Sequence, residues 1–330
     1  MKVFLTHTEA AFPRYYGERA LAALRQHAEV VRNTTGRVLE GAALAEAAAG
    51  CQAIVADRAT PGQAATFAAA PDLVAFLRCA VDISTINVPA ASRHGVLVTH
   101  ATPGFTEAVA ELGLGMMLDL ARGISEAVVA GRSGQAPQPR QGRQLTGATL
   151  GLIGYGRIAQ RLGRLGQACG MRVLAHDPHV SGFSEDVTGA TLEEVLAEAD
   201  FVVCLAVASP ETAEMMNART FGLMRKGAFF VNLARGGLVD EAALEAALDS
   251  GHLAGAALDV GSAPDQMPPP RLARRPDVIA TPHVGGLTRE ATEHQAMDTV
   301  RQVAALAEGR LPQGAANADA AHRLERLRQA

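Results

Sequence analysis

The chain has 330 residues, more than a single domain usually contains, and 48% of them are hydrophobic. We therefore expect two domains, each with its own hydrophobic core. Its 30 basic and 34 acidic residues give a formal net charge of −4 and are spread along the chain, which argues against a nucleic-acid or membrane partner. The four cysteines show no CxxC spacing, so we expect no metal site and no disulfide framework. The only apolar run in MKVFLTHTEA is too short for a signal peptide, which predicts a cytoplasmic protein.

The first third of the chain alternates short apolar runs with Ala-rich stretches, as parallel strands joined by helices do. From Glu107 to Arg122 apolar residues recur at helical spacing, which predicts a long helix between two lobes. Residues 131–144 are polar and rich in Gly, Pro and Arg, so we expect an exposed loop. Strands are predicted in this first part at Val3–Leu5, Ala53–Ala56, Leu73–Leu77 and Val96–Val98.

Residues 148–177 carry the pattern of a dinucleotide-binding strand, turn, helix and strand. Gly154 permits the tight turn, Gly156 lets a pyrophosphate approach the backbone, and small Ala159 lets the helix pack on its strand. The pyrophosphate would lie at the helix N-terminus. Asp177 ends the second strand, where a carboxylate binds the adenosine ribose diol. Because no Arg follows Asp177 at once, NAD is expected rather than NADP.

Three later segments place reactive side chains just after predicted strands, at the edge where parallel sheets bind ligands. Arg235 has a planar fork suited to a carboxylate, although a surface ion pair with Asp240 or Glu241 is the alternative. Asp240 could also cap the following helix. His283 is suited to proton exchange near neutral pH. Six strands are predicted in this part: Leu150–Ile153, Arg172–His176, Phe201–Leu205, Phe229–Asn232, Ala256–Asp259 and Val278–Ala280.

Two carboxylates could assist the histidine, because a carboxylate beside an imidazole favours its protonated form and fixes its tautomer. Asp259 ends a predicted strand and Asp265 lies in a proline-rich loop. The sequence alone does not choose between them, and Asp265 could instead be a solvated turn residue. After Arg289 a helix is predicted to about Glu308, returning the chain to the first lobe, and AHRLERLRQA suits a terminal helix or a frayed tail.

Taken together, GLIGYGRIA, the HDP that contains Asp177, VNLARGGLVDE, AALDV and TPHVGG resemble the D-isomer-specific 2-hydroxyacid dehydrogenase family. The segment RCAVDISTINVPAASRHGVLVTHATPGFTEAVAEL also resembles its substrate-lobe loop and connecting helix. The resemblance implies an α/β fold in which a Rossmann-type NAD domain, 105–288, is inserted in a discontinuous flavodoxin-like substrate domain, 1–104 and 289–330. It implies a homodimer with the active site in the cleft between lobes.

The resemblance also implies roles for individual residues. Arg235 would bind the substrate carboxylate and carbonyl, His283 would be the acid/base, and Asp259 would face the nicotinamide. It also implies contacts with the cofactor and with the substrate. The remaining cofactor-binding residues would be Gly154, Gly156, Arg157, Ile158, Asp177, Ala234, Gly285 and Thr106. The substrate loop would contribute Ala80, Val81 and Asp82.

This sequence departs from the family pattern at two places. Pro264 stands where the family has a glutamate, and we hypothesise that Asp265 restores the pair with His283. In the substrate loop, Ala80, Val81 and Asp82 replace a common Gly-Val-Gly, and Phe105 replaces a common Asn, which argues against phosphoglycerate as the substrate.

The sequence therefore predicts an NAD-dependent enzyme that moves a hydride between nicotinamide and a D-2-hydroxy acid/2-keto acid pair. One alternative is an NAD-sensing regulatory protein on the same fold without efficient catalysis. A formate-type dehydrogenase is less favoured, because no Gln lies two or three residues before His283.

Overall fold

Two compact units make up the chain, and the computed structural model describes residues 1–136, 139–263 and 266–328. Unit 1 comprises Met1–Phe105 and Thr288–Ala330, and unit 2 comprises Thr106–Leu287. Unit 1 is therefore discontinuous in sequence, and each unit contains its own parallel sheet.

Unit 1 is built on a five-stranded parallel sheet with the order β2-β1-β3-β4-β5. The inner strands β3 and β4 are buried along their whole length, which explains their continuous apolar character. The strands are β1 Lys2–Leu5, β2 Glu29–Arg32, β3 Ala53–Ala56, β4 Ala75–Arg78 and β5 Leu97–His100. The helices are α1 Phe12–Tyr15, α2 Gly17–Leu24, α3 Gly41–Ala47, α4 Ala64–Ala69, α5 Val88–Arg93, α13 Arg289–Ala307 and α14 Glu325–Arg328.

Unit 2 is built on a seven-stranded parallel sheet with the order β12-β11-β10-β9-β6-β7-β8. The order reverses between β6 and β9, which makes the crevice at their carboxyl ends the expected ligand site of a doubly wound sheet. The strands are β6 Thr149–Ile153, β7 Arg172–His176, β8 Val187–Gly189, β9 Phe201–Cys204, β10 Ala228–Asn232, β11 Leu253–Leu258 and β12 Val278–Ala280. The helices are α6 Thr106–Arg122, α7 Ile124–Arg132, α8 Arg157–Ala168, α9 Leu192–Glu198, α10 Ala218–Leu223, α11 Glu241–Asp249 and α12 Pro270–Ala273.

The predicted α/β class, with a doubly wound nucleotide fold inserted in a discontinuous lobe, is confirmed by these two sheets. The prediction of six strands in unit 2 is wrong, because the short edge strand β8 was missed, and β2 was missed in unit 1. The predicted loop at 131–144 begins too early, since α7 continues to Arg132. Its residues 137–138 lie outside the described residues.

The cysteines are mostly interior: Cys51, Cys79 and Cys204 are buried and Cys169 is partly exposed. Across the described part of the chain, no helix combines the length and apolar character that crossing a membrane requires.

Candidate active site

Three neighbouring strands of unit 2 bring the predicted reactive segments to one edge of the sheet. The parallel register pairs Asn232 with Leu258 and Leu258 with Ala280, so β10, β11 and β12 end side by side. Arg235 lies three residues beyond β10, and His283 lies three residues beyond β12. The carboxyl edge of this half of the sheet therefore carries both the cation and the imidazole that the sequence selected.

The turn after β10 exposes Arg235 in an extended conformation. Asn232 shapes this turn, because its side chain accepts a hydrogen bond from the Ala234 N–H at 3.0 Å and donates to the Arg235 carbonyl at 3.0 Å. The Arg235 guanidinium donates through Nη1 to the Ala234 carbonyl at 2.7 Å, so one of its terminal nitrogens is bonded to the turn while the residue as a whole remains exposed. Sequence reasoning did not identify Asn232, which reads simply as the last residue of a strand.

Gly236 lets this turn approach the segment that follows β11. A Cβ at Gly236 would lie 1.9 Å from the carbonyl carbon of Gly261, a distance that no side chain could occupy. The Asp240 side chain accepts hydrogen bonds from the N–H groups of Ala242 and Ala243, so the predicted helix cap is confirmed.

Asp259 ties down the loop that carries His283. The residue is only 3% exposed, and its carboxylate accepts hydrogen bonds from the Thr281 hydroxyl at 2.6 Å and from the N–H groups of Val284 and Gly285 at 2.8 Å each. His283, between these donors, is half-buried and has a φ of +53°. A left-handed residue other than glycine costs about 1–3 kcal/mol, so the surrounding bonds hold it in place.

These contacts give Asp259 a role in holding the loop that the sequence did not predict, since the sequence offered Asp259 as a partner of the imidazole itself or as a residue facing the nicotinamide. Gly285 belongs to the same arrangement, since a Cβ there would lie 2.8 Å from the Asp259 Oδ2. Whether Asp259 or Gly285 also contacts a cofactor stays a prediction. The second carboxylate, Asp265, lies outside the described residues.

The glycine-rich turn after β6 has room for a ligand. Gly154 has a φ of +87°, and a Cβ there would lie 2.8 Å from Ala206, so only glycine fits. In contrast, a Cβ at Gly156 would meet no atom within 4 Å. Gly156 is the N-cap of the twelve-residue helix α8, whose first N–H groups suit an anion. The turn therefore fits a pyrophosphate.

Asp177 follows β7 directly and is fixed against this turn. Its Oδ2 accepts from the Tyr155 N–H at 2.8 Å and its Oδ1 accepts from the His179 N–H at 2.9 Å. A carboxylate has about four acceptor positions, so lone pairs remain for a ribose diol. Tyr155 is buried, and its hydroxyl donates to Ser184 at 2.9 Å, which connects the turn to the segment after β7. These residues fit the adenosine half of NAD.

The other predicted cofactor contacts lie on elements around the turn. Thr106 begins α6, and Arg157 and Ile158 begin α8. Helices α6 and α8 pack together, and Arg161 pairs with Glu107 at 2.5 Å. Ala234 is buried in the turn after β10.

Val207 is a candidate ligand-contacting residue that the sequence did not reveal. It follows β9 at the point where the strand order reverses, and it is 81% exposed. In sequence it looks like the end of an apolar strand, so only its exposure distinguishes it. An exposed apolar side chain at this edge could pack against a flat ring.

The predicted substrate loop follows β4 in unit 1. Ala80 is buried, Val81 is half-buried and Asp82 is exposed, with the Asp82 Oδ1 accepting from the Ser84 N–H at 2.8 Å. Arg78 is fully buried beneath this loop and donates to the Asp57 carbonyl and, at 2.9 Å, to the Thr85 hydroxyl. Burial lowers the pKa of the Arg78 guanidinium. Within the described ranges, no cluster of three His, Cys, Asp or Glu side chains could hold a metal ion.

Comparison with known proteins gives consistent matches. Residues 114–285 match the family described as D-isomer specific 2-hydroxyacid dehydrogenase, NAD binding domain. A D-3-phosphoglycerate dehydrogenase from Synechocystis is 37% identical over 230 residues, which cover 68% of this chain and 41% of the relative. One from Rattus norvegicus is 35% identical over 277 residues, which cover 82% of this chain and 51% of the relative.

The chain therefore spans between 41% and 51% of the length of these two curated relatives. A crystal structure of a Thermus thermophilus protein is 34% identical with a TM-score of 0.81, covering 96% of this chain and 100% of that one. The fold thus extends over both units of the chain, beyond the part that matches the family.

Proposed function

The chain belongs to the D-isomer-specific 2-hydroxyacid dehydrogenase family, and from that premise we propose that it is an NAD-dependent oxidoreductase acting on a D-2-hydroxy acid/2-keto acid pair. The main support for this proposal is that the exposed Arg235 and the conformationally fixed His283 follow strands that end at the same edge of the sheet. An exposed cation and a proton-exchanging ring are what reduction of a keto acid requires.

NAD is the cofactor of this family's nucleotide domain, and the residues of unit 2 fit it. Gly156 and the first turn of α8 would hold the pyrophosphate, and Asp177 would hold the ribose diol. An Asp held by two N–H groups would repel a 2′-phosphate, which favours NAD over NADP. Bound NAD supplies or accepts the hydride.

Arg235 would bind the substrate carboxylate and polarise the keto group. In reduction, protonated His283 would deliver its proton to the carbonyl oxygen as the keto carbon gains a hydride, and in oxidation neutral His283 would remove that proton. Asp259 would act through the loop, by keeping the imidazole in its left-handed position. Asp265 would supply the carboxylate that favours the protonated imidazole.

The residues Ala80, Val81 and Asp82 would contact the substrate from unit 1. The name of the Synechocystis relative makes 3-phosphoglycerate and its keto acid one candidate pair. Glyoxylate, hydroxypyruvate and branched 2-keto acids are candidates without a phosphoryl group.

A homodimer is part of the proposal, and the apolar surface of α7 supports it. The helix has no buried residue, and Ile124, Val128 and Val129 are 52%, 43% and 64% exposed. Adjacent exposed apolar side chains are typical of protein interfaces. Light scattering should give twice the chain mass, and Val129→Glu should give a monomer.

A panel of 2-keto acids with NADH and NADPH, followed by absorbance, tests the proposed function. We expect NADH oxidation with at least one acid, and a loss of at least a hundredfold in kcat/KM for Arg235→Gln. Arg164→Gln, an exposed arginine on α8, is the matched control and should keep wild-type turnover. Tight NADH binding without oxidation by any acid would instead favour an NAD-sensing protein.

A further inference from the structure

One peptide group after β11 lies against the turn that carries Arg235. Strands β10 and β11 are paired neighbours in unit 2, so the segments that follow them leave the sheet side by side. A Cβ at Gly236 would lie 1.9 Å from the carbonyl carbon of Gly261 and 2.2 Å from the nitrogen of Ser262. Gly236 therefore packs directly on the peptide group between Gly261 and Ser262. We call this group the supporting peptide.

The side chain of Glu241, the first residue of α11, holds the supporting peptide in place. Its Oε1 accepts a hydrogen bond from the Ser262 N–H at 2.8 Å, and its Oε2 lies 3.3 Å from the Nη2 of Arg271. Such charge-assisted hydrogen bonds are stronger than bonds between neutral groups. The Glu241 side chain is only 11% exposed, which limits the other positions that its carboxylate can take. Each oxygen of this carboxylate thus has a partner other than Arg235.

The backbone of Arg235 is consequently fixed on both sides along the chain. Before it, the Asn232 side chain donates to the Arg235 carbonyl at 3.0 Å. After it, Gly236 rests on the supporting peptide. Because the guanidinium stands at the end of a long side chain, a small rotation of this backbone displaces it by a larger distance. A displacement of about 1 Å in a group that orients the substrate can cost on the order of a hundredfold in rate.

We propose that Glu241 is a positioning residue for Arg235: by holding the supporting peptide against Gly236, it keeps the guanidinium where it binds the substrate carboxylate. This inference rests on the proposed function, since it takes Arg235 to be the group that binds that carboxylate. Without Glu241 the Ser262 N–H loses its acceptor, and the supporting peptide no longer fixes the turn. The substrate carboxylate is then bound more weakly, while the glycine-rich turn after β6 keeps its structure.

The test measures KM and kcat for glyoxylate and hydroxypyruvate at saturating NADH. We expect Glu241→Ala to raise both KM values about tenfold, while the Kd for NADH stays within twofold of the wild type. Glyoxylate has no side chain, so its KM reports chiefly on the group that binds the carboxylate. A carboxylate in the first turn of α11 also stabilises the helix. If that were its only role, the variant would melt earlier and have a lower apparent kcat at an unchanged KM.

Two conservative variants separate the hydrogen bond from the charge. Glu241→Gln keeps an oxygen that can accept from the Ser262 N–H, so both KM values should stay within threefold of the wild type. Glu241→Asp keeps the charge but is one methylene shorter, so both KM values should rise as in Glu241→Ala. The matched control is Glu245→Ala, which removes the ion pair at 3.1 Å from the Arg271 Nε and keeps the bond to Ser262. Its KM values should equal those of the wild type.

The possible failures are distinguishable. Wild-type KM values in a folded Glu241→Ala would refute the positioning role and leave the proposed function standing. A tenfold rise in Glu245→Ala, or a rise in Glu241→Gln without one in Glu241→Asp, would assign the effect to the charges around Arg271 and overturn the inference. If the wild type oxidises NADH with no 2-keto acid, the proposed function fails and the inference fails with it. Should Glu241→Ala not fold, the comparison of Glu241→Asp with Glu241→Gln decides the result.

Discussion

Replacing Asp259 with Asn is expected to loosen the loop that carries His283 while leaving the sheet intact. The carboxylate accepts three hydrogen bonds, from Thr281 at 2.6 Å and from the N–H groups of Val284 and Gly285 at 2.8 Å each. An amide of the same size keeps one acceptor oxygen but turns an NH₂ group toward an N–H donor. Hydrogen bonds to a charged group contribute about 1.5–3 kcal/mol each, so losing one and weakening two costs roughly 2–4 kcal/mol.

Part of that cost should appear in catalysis, because His283 relaxes from its left-handed conformation. We expect kcat/KM for keto-acid reduction to fall about ten- to a hundredfold, while the Kd for NADH changes less than threefold. Stopped-flow absorbance and fluorescence titration measure the two quantities. Asp249→Asn, at the exposed end of α11, is the matched control. Wild-type turnover and melting in Asp259→Asn would refute the positioning role, and a parallel rise in the NADH Kd would show a direct cofactor contact instead.

Three further outcomes follow from single residues. His7 is buried, and burial lowers its pKa from 6.5 to about 4, with a smaller lowering by Arg32 and an opposing effect of Asp57. The unfolded chain therefore binds a proton that the folded chain excludes, so stability should fall by about 3 kcal/mol as pH drops from 6.5 to 4. Melting curves of His7→Gln should show a weaker pH dependence in this window, and an unchanged dependence would contradict the assignment. Asp177→Ser should weaken NADH binding about tenfold and raise kcat/KM with NADPH relative to kcat/KM with NADH. Equal affinity of the wild type and the variant for NADH would rule out the contact between Asp177 and the ribose. Asp265→Asn removes a charge that favours the protonated imidazole, so the upper pH limit of reduction should move lower, whereas an identical pH–rate profile would count against Asp265 as the partner of His283.

The nucleotide-binding segment was predictable because its signals are local. The predicted strand at Arg172–His176 matches β7, and the glycine turn and the start of α8 fall where the spacing placed them. The family resemblance drawn from these and four other motifs is confirmed. Buried parallel strands have continuous apolar runs, so they are visible in a single sequence.

The edge strands were missed for the opposite reason. β2 has the sequence EVVR with no fully buried residue, and β8 has only three residues. Each lies at the end of its sheet, where one neighbour suffices and no apolar run is needed. Their pairing depends on the neighbouring strand, which a local pattern does not show.

The site was predictable in part. Arg235 and His283 stood out because each follows an apolar strand. The roles of Asn232 and Asp259 could not be recognised in the same way. Asn232 acts through hydrogen bonds within a turn, and Asp259 acts through hydrogen bonds to a loop 22–26 residues away. Such contacts form only after the strands pair.

The pH profile of kcat/KM for 2-keto-acid reduction in His283→Asn decides whether His283 is the acid/base. We expect the wild type to lose activity at high pH, as its imidazole loses the proton. In the variant, activity should fall at least a thousandfold and lose this pH dependence while NADH still binds. His27→Asn, an exposed histidine of unit 1, should behave as the wild type. Retained turnover with a wild-type profile in His283→Asn would show that another group exchanges the proton.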